Sequence, residues 1–211
     1  MAVFTLPDWA EPLGLVAVGG DLRPARLLDA YRHGIFPWYS DGEPVLWWSP
    51  DPRAIFELDG LHVSRRLRRT IRSGRFTPTV NRDFTGVMRG CADRPGEGTW
   101  ITADMIAAYE ELHRRGHAHS VEVWHEGRLA GGVYGVAVGG LFAGESMFTR
   151  VRDASKVALA YLVERLRQRG FWLFDIQLLT PHTASLGAVE IPRGKYLARL
   201  RQALACDVSF V

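Results

Sequence analysis

Residues 171–179 read FWLFDIQLL, and the reading of that stretch decides the fold. Seven of its nine residues are apolar or aromatic, with Asp175 and Gln177 set two positions apart. In a strand, residues i and i+2 share one face. Asp175 and Gln177 are therefore expected to point one way with Leu173 and Leu179, while Trp172, Phe174, Ile176 and Leu178 fill the other face. A carboxylate buried without partners costs several kcal/mol or takes up a proton. Either an internal hydrogen-bond network or a substrate must offset that cost.

Working outward, the strand closes a regular second half. Thr102 caps a helix whose apolar side carries Met105, Ile106, Tyr109 and Leu112 and which stops at Gly116. HSVEVWH (119–125), RLAGGVYGVAV (128–138) and LFAGESMF (141–148) read as a meander turned at Glu126-Gly127 and Gly139-Gly140. Asp153 is expected to cap a helix over 154–170 ahead of the opening strand. A helix from Pro192 and a short terminal strand, CDVSFV, finish the chain. The first half is less regular. It offers helices at 23–34, 64–74 and 82–93 and a strand at RAIFEL (53–58). The turn-rich RPGEGT (94–99) suggests a division into a small N-terminal unit, 1–96, and a second unit, 97–211. The order predicts an α+β protein with a mixed sheet covered by helices, acyltransferase-like in its second half.

The chain has 211 residues, 47% hydrophobic and 23% charged, which suits a globular protein with a substantial core. No apolar run reaches the ~20 residues that span a bilayer, and MAVFTLPDWAEP has no signal-peptide pattern. A reducing cytoplasm suits the two separated cysteines, Cys91 and Cys206. His117 and His119 have no third ligand at a recognisable spacing, so no metal is expected. Nothing in the sequence demands more than a monomer, and no membrane partner is expected.

Net charge is only +3, but its distribution is uneven. HVSRRLRRTIRSGR (62–75) holds six arginines and no acid. Arg65, Arg68, Arg69 and Arg72 fall at i, i+3, i+4 and i+7, one helical stripe, with Leu67 and Ile71 facing away. A solvated face is the ordinary reading of a charge run, but an unbroken stripe favours phosphate binding. Neutralising four to six phosphates would give a log–log salt slope of roughly −3 to −5. Trp38, Tyr39, Trp47 and Trp48 cluster among Pro37, Pro44 and Pro50, either as a small aromatic core or as a stacking platform for a base. Glu145 is a further acid among apolar neighbours, expected on one face with Leu141, Ala143 and Met147, opposite Phe142, Gly144, Ser146 and Phe148. The glycines at 131, 132, 135, 139, 140 and 144 mark either close packing or the approach of a ligand.

These motifs together carry a resemblance. VGGDL (18–22), AYRHGIFPW (30–38), WWSPDPR (47–53), TWIT (99–102), HSVEVW (119–124), GGVYGVAVGGLFAGESMF (131–148), ASKVAL (154–159), FDIQLLTPHTASLGA (174–188) and IPRGKY (191–196) resemble, in order, the leucyl/phenylalanyl-tRNA–protein transferase family. The resemblance implies a small N-terminal domain joined to a GNAT-type acyltransferase domain that uses no metal or organic cofactor. It implies Leu or Phe, with Met as a further donor, moved from aminoacyl-tRNA to proteins with N-terminal Arg or Lys, marking them for N-degron degradation. By motif, Trp38 and Trp100 are expected to hold the terminal adenosine. Phe142, Met147, Tyr109, Val133 and Leu159 are expected to form the side-chain pocket, with Asp175, Gln177 and Glu145 as the polar centre. Asp175 is expected to orient and help deprotonate the acceptor amine, Gln177 to bridge it to the ester, and Glu145 to hold the network or the aminoacyl ammonium. The rivals are an acyl-CoA-dependent GNAT enzyme and a non-catalytic RNA-binding protein. TRVRDAS (149–155), before the long helix, lacks the glycine-rich turn that usually cradles pyrophosphate.

Overall fold

A computed structural model describes residues 14–94 and 98–211. The elements in chain order are β1 (Leu15–Val18), α1 (Pro24–Arg32), β2 (Phe36–Pro37), β3 (Leu46–Trp48), β4 (Arg53–Phe56), α2 (Arg65–Arg72), β5 (Thr77–Val80), α3 (Phe84–Ala92) and α4 (Ala103–Arg114). They continue with β6 (Ala118–His125), β7 (Arg128–Val138), β8 (Leu141–Thr149), α5 (Ala154–Gln168), β9 (Leu173–Gln177), α6 (Pro181–Ser185), β10 (Val189–Ile191) and α7 (Arg193–Leu204). The expected α+β class with a mixed sheet is what the chain adopts. A small sheet orders β1-β3-β2, and a seven-stranded sheet orders β10-β4-β9-β8-β7-β6-β5.

Caps and turns explain the local choices. The hydroxyls of Ser64 and Thr102 accept from the N–H groups of Leu67 and Met105, as a cap must. Glu126 and Gly127 both have positive φ, the conformation of a tight hairpin turn between β6 and β7. Asp153 departs from expectation. It adopts φ 72° with no capping bond, and its carboxylate instead takes Arg66 at 3.0 Å, joining the start of α5 to α2. The expected terminal strand does not form. Residues 206–211 run without regular structure, because Phe210 turns inward among His119, Phe142 and Phe171 while its carbonyl accepts from Arg165 Nε at 2.8 Å.

Helices α1, α3, α4 and α7 cover one face of the large sheet, and α2 and α5 cover the other. Leu67 anchors α2 in the α5 core, but Ile71, expected inside, is 40% exposed. The expected division at residue 96 falls between strands of one sheet, since β4 and β5 lie before it and pair with β9, β10 and β6. Residues 1–13 and 95–97, including the middle of the expected boundary turn, lie outside the described residues. Among the described residues no helix is long and apolar enough to cross a membrane.

Two irregularities position the site. All neighbouring strands of the large sheet are antiparallel except β8 and β9, whose parallel pairing runs only through Leu141–Leu173, Phe142–Phe174 and Ala143–Asp175. Beyond that point they diverge. The register of β8 on β7 also shifts there, from Gly144 opposite Gly135 to Ser146 opposite Tyr134, so Glu145 is a bulge residue. A bulge bends its strand and re-aims a side chain. It also breaks the alternation expected for β8: Phe142 packs in the α5 core, while Phe148 packs in the opposite core against α3 and α4.

Candidate active site

The gap between the diverging strands opens into a cavity of about 470 Å3. Gly144 through Thr149 form one wall, and Phe174 and Ile176 form another. Leu159 and the buried Ser155 of α5, with Val133 of β7, close the apolar side. At Gly144 a Cβ would stand 2.9 Å from the Phe174 ring, so the glycine keeps the gap open where the strands part. At Gly131, Gly132 and Gly135, by contrast, the missing side chain is filled by Ala154, Val87 and the Phe142 ring. Packing accounts for those three.

Glu145 is the acid at this gap. It is partly buried and lines the cavity. Its Oε2 accepts from Tyr109 at 3.2 Å, and the Tyr109 hydroxyl shares a 2.5 Å bond with Tyr31. Burial pushes the carboxyl pKa upward. The tyrosine bonds pull it back, the Asp175 charge raises it and the Arg53 charge lowers it, leaving it at about 7. Burial also raises both tyrosine pKa values, so they serve as neutral donors.

Asp175 lies elsewhere. Alternation along β9 points Phe174 and Ile176 into the cavity and turns Leu173 and Asp175 toward α7. Asp175 is 1% exposed, and so is its partner Arg53. Arg53 donates from Nε at 2.8 Å and from Nη2 at 2.7 Å, a bidentate pair. Tyr196 donates to the same carboxylate at 2.9 Å and the Gln177 backbone N–H at 3.0 Å. Asp175, expected to orient and help deprotonate the acceptor amine, has its oxygens satisfied inside the protein, behind the sheet, and touches the cavity side only through Gln177.

Gln177 connects the two acids. It ends β9 at φ 60°, a left-handed turn held by its own N–H bond to Asp175. The strand therefore stops before Leu178, which is 41% exposed, and Trp172 at the other end is 62% exposed. One amide orientation of Gln177 gives a single 3.4 Å contact to Glu145. The other lets its nitrogen donate to the carbonyls of Ile176 and Gly144 at 2.9 Å each, across the parting strands. The second satisfies more donors at better distances. It leaves the amide oxygen facing Glu145, where a carboxyl held toward neutrality can donate to it.

Of the expected pocket residues, Met147, Val133 and Leu159 line the cavity. Phe142 does not; it is 1% exposed and stacks on Phe210 at 5.2 Å between centroids. Tyr109 is fully buried and reaches the site only through its bond to Glu145. Phe56, Ile176, His182 and Arg94 are lining residues that the sequence reading did not single out. Nor did it single out Arg53 and Tyr196, although both lie inside motifs that carry the resemblance, WWSPDPR and IPRGKY.

A second cleft, about 520 Å3, adjoins the first through Arg94, which lines both. Trp38 and Trp100 line it together, with Trp48 and Tyr39. Trp47 is a core residue, fully buried with Nε1 donating to the Gly19 carbonyl at 2.9 Å. Trp48 buttresses Trp38 edge-on at 6.2 Å and donates to its carbonyl at 2.7 Å. Arg65, Arg68, Arg69 and Arg72 line one groove along α2, all exposed and without an ion-pair partner among the described residues. His119 is a satisfied core residue stacked on Phe210 and bonded to Asn81, and burial lowers its pKa to about 4.

Comparison with known proteins finds matches over most of the chain. Residues 55–201 match the family model described as leucyl/phenylalanyl-tRNA protein transferase, and residues 20–51 match that described as its N-terminal domain. A leucyl/phenylalanyl-tRNA–protein transferase of Solidesulfovibrio magneticus is 57% identical over 204 residues, covering 95% of this chain and 83% of the relative. That of Pseudomonas aeruginosa is 57% identical over 196 residues, covering 90% and 87%. A ribosomal-protein-alanine N-acetyltransferase structure from Brucella melitensis shows a partial likeness, with TM-score 0.39 and 18% identity over 50% of this chain and 81% of the other.

Proposed function

The chain belongs to the leucyl/phenylalanyl-tRNA protein transferase family, and from that premise we propose how its site carries out aminoacyl transfer from tRNA to protein. The observation that carries the reading is the apolar cavity with a single unpaired acid in its wall, joined to an aromatic cleft. Val133, Met147, Leu159, Phe56, Phe174 and Ile176 take the leucyl or phenylalanyl side chain. Trp38 and Trp100 take the terminal adenosine, Trp48 braces them, and the α2 arginines meet phosphates of the tRNA body.

The acceptor's neutral α-amine attacks the ester carbonyl, the C–N bond forms, and the C–O bond to the ribose breaks as the amine's surplus proton passes to the ribose oxygen, which leaves as the hydroxyl. Before attack, the ammonium must lose a proton. Its pKa is ~7.7–8.0, and Glu145 is held at about 7. That transfer is uphill by only about 1 kcal/mol, within reach of a general base. Asp175 is poorly suited to the same task, since protonating it would break the bidentate bond to Arg53. We therefore assign Glu145 as proton acceptor. The Gln177 amide oxygen accepts from Glu145 once it has taken the proton, and Asp175 with Arg53 positions the turn that carries Gln177. Holding amine and ester together supplies much of the acceleration. An acceptor that begins with Arg or Lys suits an acidic recess at Glu145, and both cysteines are free thiols, as a reducing cytoplasm keeps them.

Against an acyl-CoA-dependent rival stands Asp153, whose carboxylate occupies the N-terminal end of α5 where a pyrophosphate would need positive potential. Purified protein incubated with radiolabelled leucyl-tRNA and an Arg-starting peptide, without acyl-CoA, is expected to label the peptide. Labelling that needs acyl-CoA, or none at all, would refute the reading.

A further inference from the structure

Arg94 is the only residue among those described that borders the apolar cavity, the aromatic cleft and a third groove of about 450 Å3. That third groove leaves the cavity past Met147, Phe148 and Thr149 and ends at Arg150. The Arg150 guanidinium is fixed over the Phe148 ring at 5.2 Å. Arg94 touches the Cys91 carbonyl through Nε at 3.4 Å, which leaves its terminal nitrogens free to bind. Both side chains are exposed, and neither has an ion-pair partner among the described residues. Asp93 is the one acid lining the groove. From Arg150 the chain turns to Asp153, which holds Arg66 of α2. Arg94 and Arg150 therefore place two unpaired cations along one groove that adjoins the aromatic cleft.

We propose that Arg94 and Arg150 clamp the phosphodiesters of the donor's single-stranded 3′ tail as it leaves the aromatic cleft. The inference rests on the transfer reading above. With the aminoacyl group at Glu145 and the adenine between Trp38 and Trp100, the ribose and its 5′ phosphate must pass the boundary those cavities share, and Arg94 stands on it. Guanidinium groups suit that ligand, because their planar fork matches two phosphate oxygens. The same charges repel an acceptor that begins with a cation, which directs the acceptor to Glu145 from the other side.

The test compares three donors: leucyl-adenosine, which has no phosphate, the leucyl-CCA trinucleotide, and leucyl-tRNA. For Arg94→Gln/Arg150→Gln, kcat/KM with the trinucleotide is expected to fall about ten-fold or more, against about two-fold or less with leucyl-adenosine. The salt slope with the trinucleotide should shrink by about 1.4, two phosphates at ~0.7 each on single strands. Arg65→Gln/Arg69→Gln should weaken transfer from leucyl-tRNA far more than from the trinucleotide. Retained transfer from leucyl-adenosine shows that the variant folds. Equal losses on adenosine and trinucleotide donors, or no loss on the trinucleotide, would overturn the clamp. Failure of the unmodified protein with every donor would overturn the transfer reading itself, and the clamp with it.

Discussion

Asp175 and Glu145 stand on neighbouring strands of one sheet, yet their surroundings make them different chemical objects. Asp175 faces α7, holds Arg53 in a bidentate pair and also takes bonds from Tyr196 and the Gln177 backbone. Glu145 sits where β8 bulges on β7 and parts from β9, with two tyrosines for company and a cavity in front. A carboxylate whose lone pairs are all engaged holds structure in place. One that burial lifts to about 7, open on one side, can exchange a proton near neutral pH. Two local features separate them: alternation along β9 turns Asp175 toward α7, and the bulge in β8 re-aims Glu145 at the gap.

The largest effect that could break this contrast lies at Glu145. Glu145→Gln keeps the shape but removes the proton acceptor, so transfer is expected to fall roughly 10²–10⁴-fold with melting temperature and tRNA affinity nearly unchanged. A rate within a few-fold of the parent would remove Glu145 from the chemistry. Asp175→Ala should act through stability, because it leaves Arg53 charged and buried: a loss of about 3–5 kcal/mol in denaturant unfolding. Replacing Arg53 by Met in the same protein should recover much of that loss. If the double variant is no more stable than Asp175→Ala, the pair is not what holds β4 to β9.

The cavity side of the comparison can be sharpened with donors. Valyl-tRNA leaves one methylene of space unfilled, so its kcat/KM should lie about 10–200-fold below that of leucyl-tRNA. Equal rates would show that the side chain is not read there. Trp38→Ala should cost roughly 1–3 kcal/mol of donor binding, seen in KM more than kcat. Proton linkage gives a further, smaller signal. Glu145 holds a proton in the native state up to about 7, which the unfolded chain releases near 4.5. Stability should therefore decline as pH rises through that window, and Glu145→Gln should flatten the decline.

Much of this was legible in the sequence for physical reasons, and the rest was hidden for physical reasons. The meander, the long helix and the caps at Ser64 and Thr102 follow from periodicity and local hydrogen bonding, which the chain carries near each position. Alternation in FWLFDIQLL correctly split Phe174 and Ile176 from Asp175, but it could not say which face holds the cavity. That depends on Arg53, 122 positions away in the chain. The bulge at Glu145 was invisible because nothing local marks it, and it sends Phe142 and Phe148 into different cores. The left-handed turn at Gln177 was missed because it is held by the side chain of Asp175 rather than by a turn residue. Arg94 was passed over because it sits beside a turn, and only the fold brings it between two clefts.

The most direct test is the pH dependence of kcat/KM for transfer from leucyl-tRNA to an Arg-starting peptide, measured for the parent and for Glu145→Gln with donor hydrolysis subtracted. The parent should rise through a limb near 7, as Glu145 becomes free to accept, and fall through one near the acceptor's own ~7.7–8.0, as the ammonium that donates to it is lost. The variant should only rise, through the second. Superimposable profiles would contradict the account.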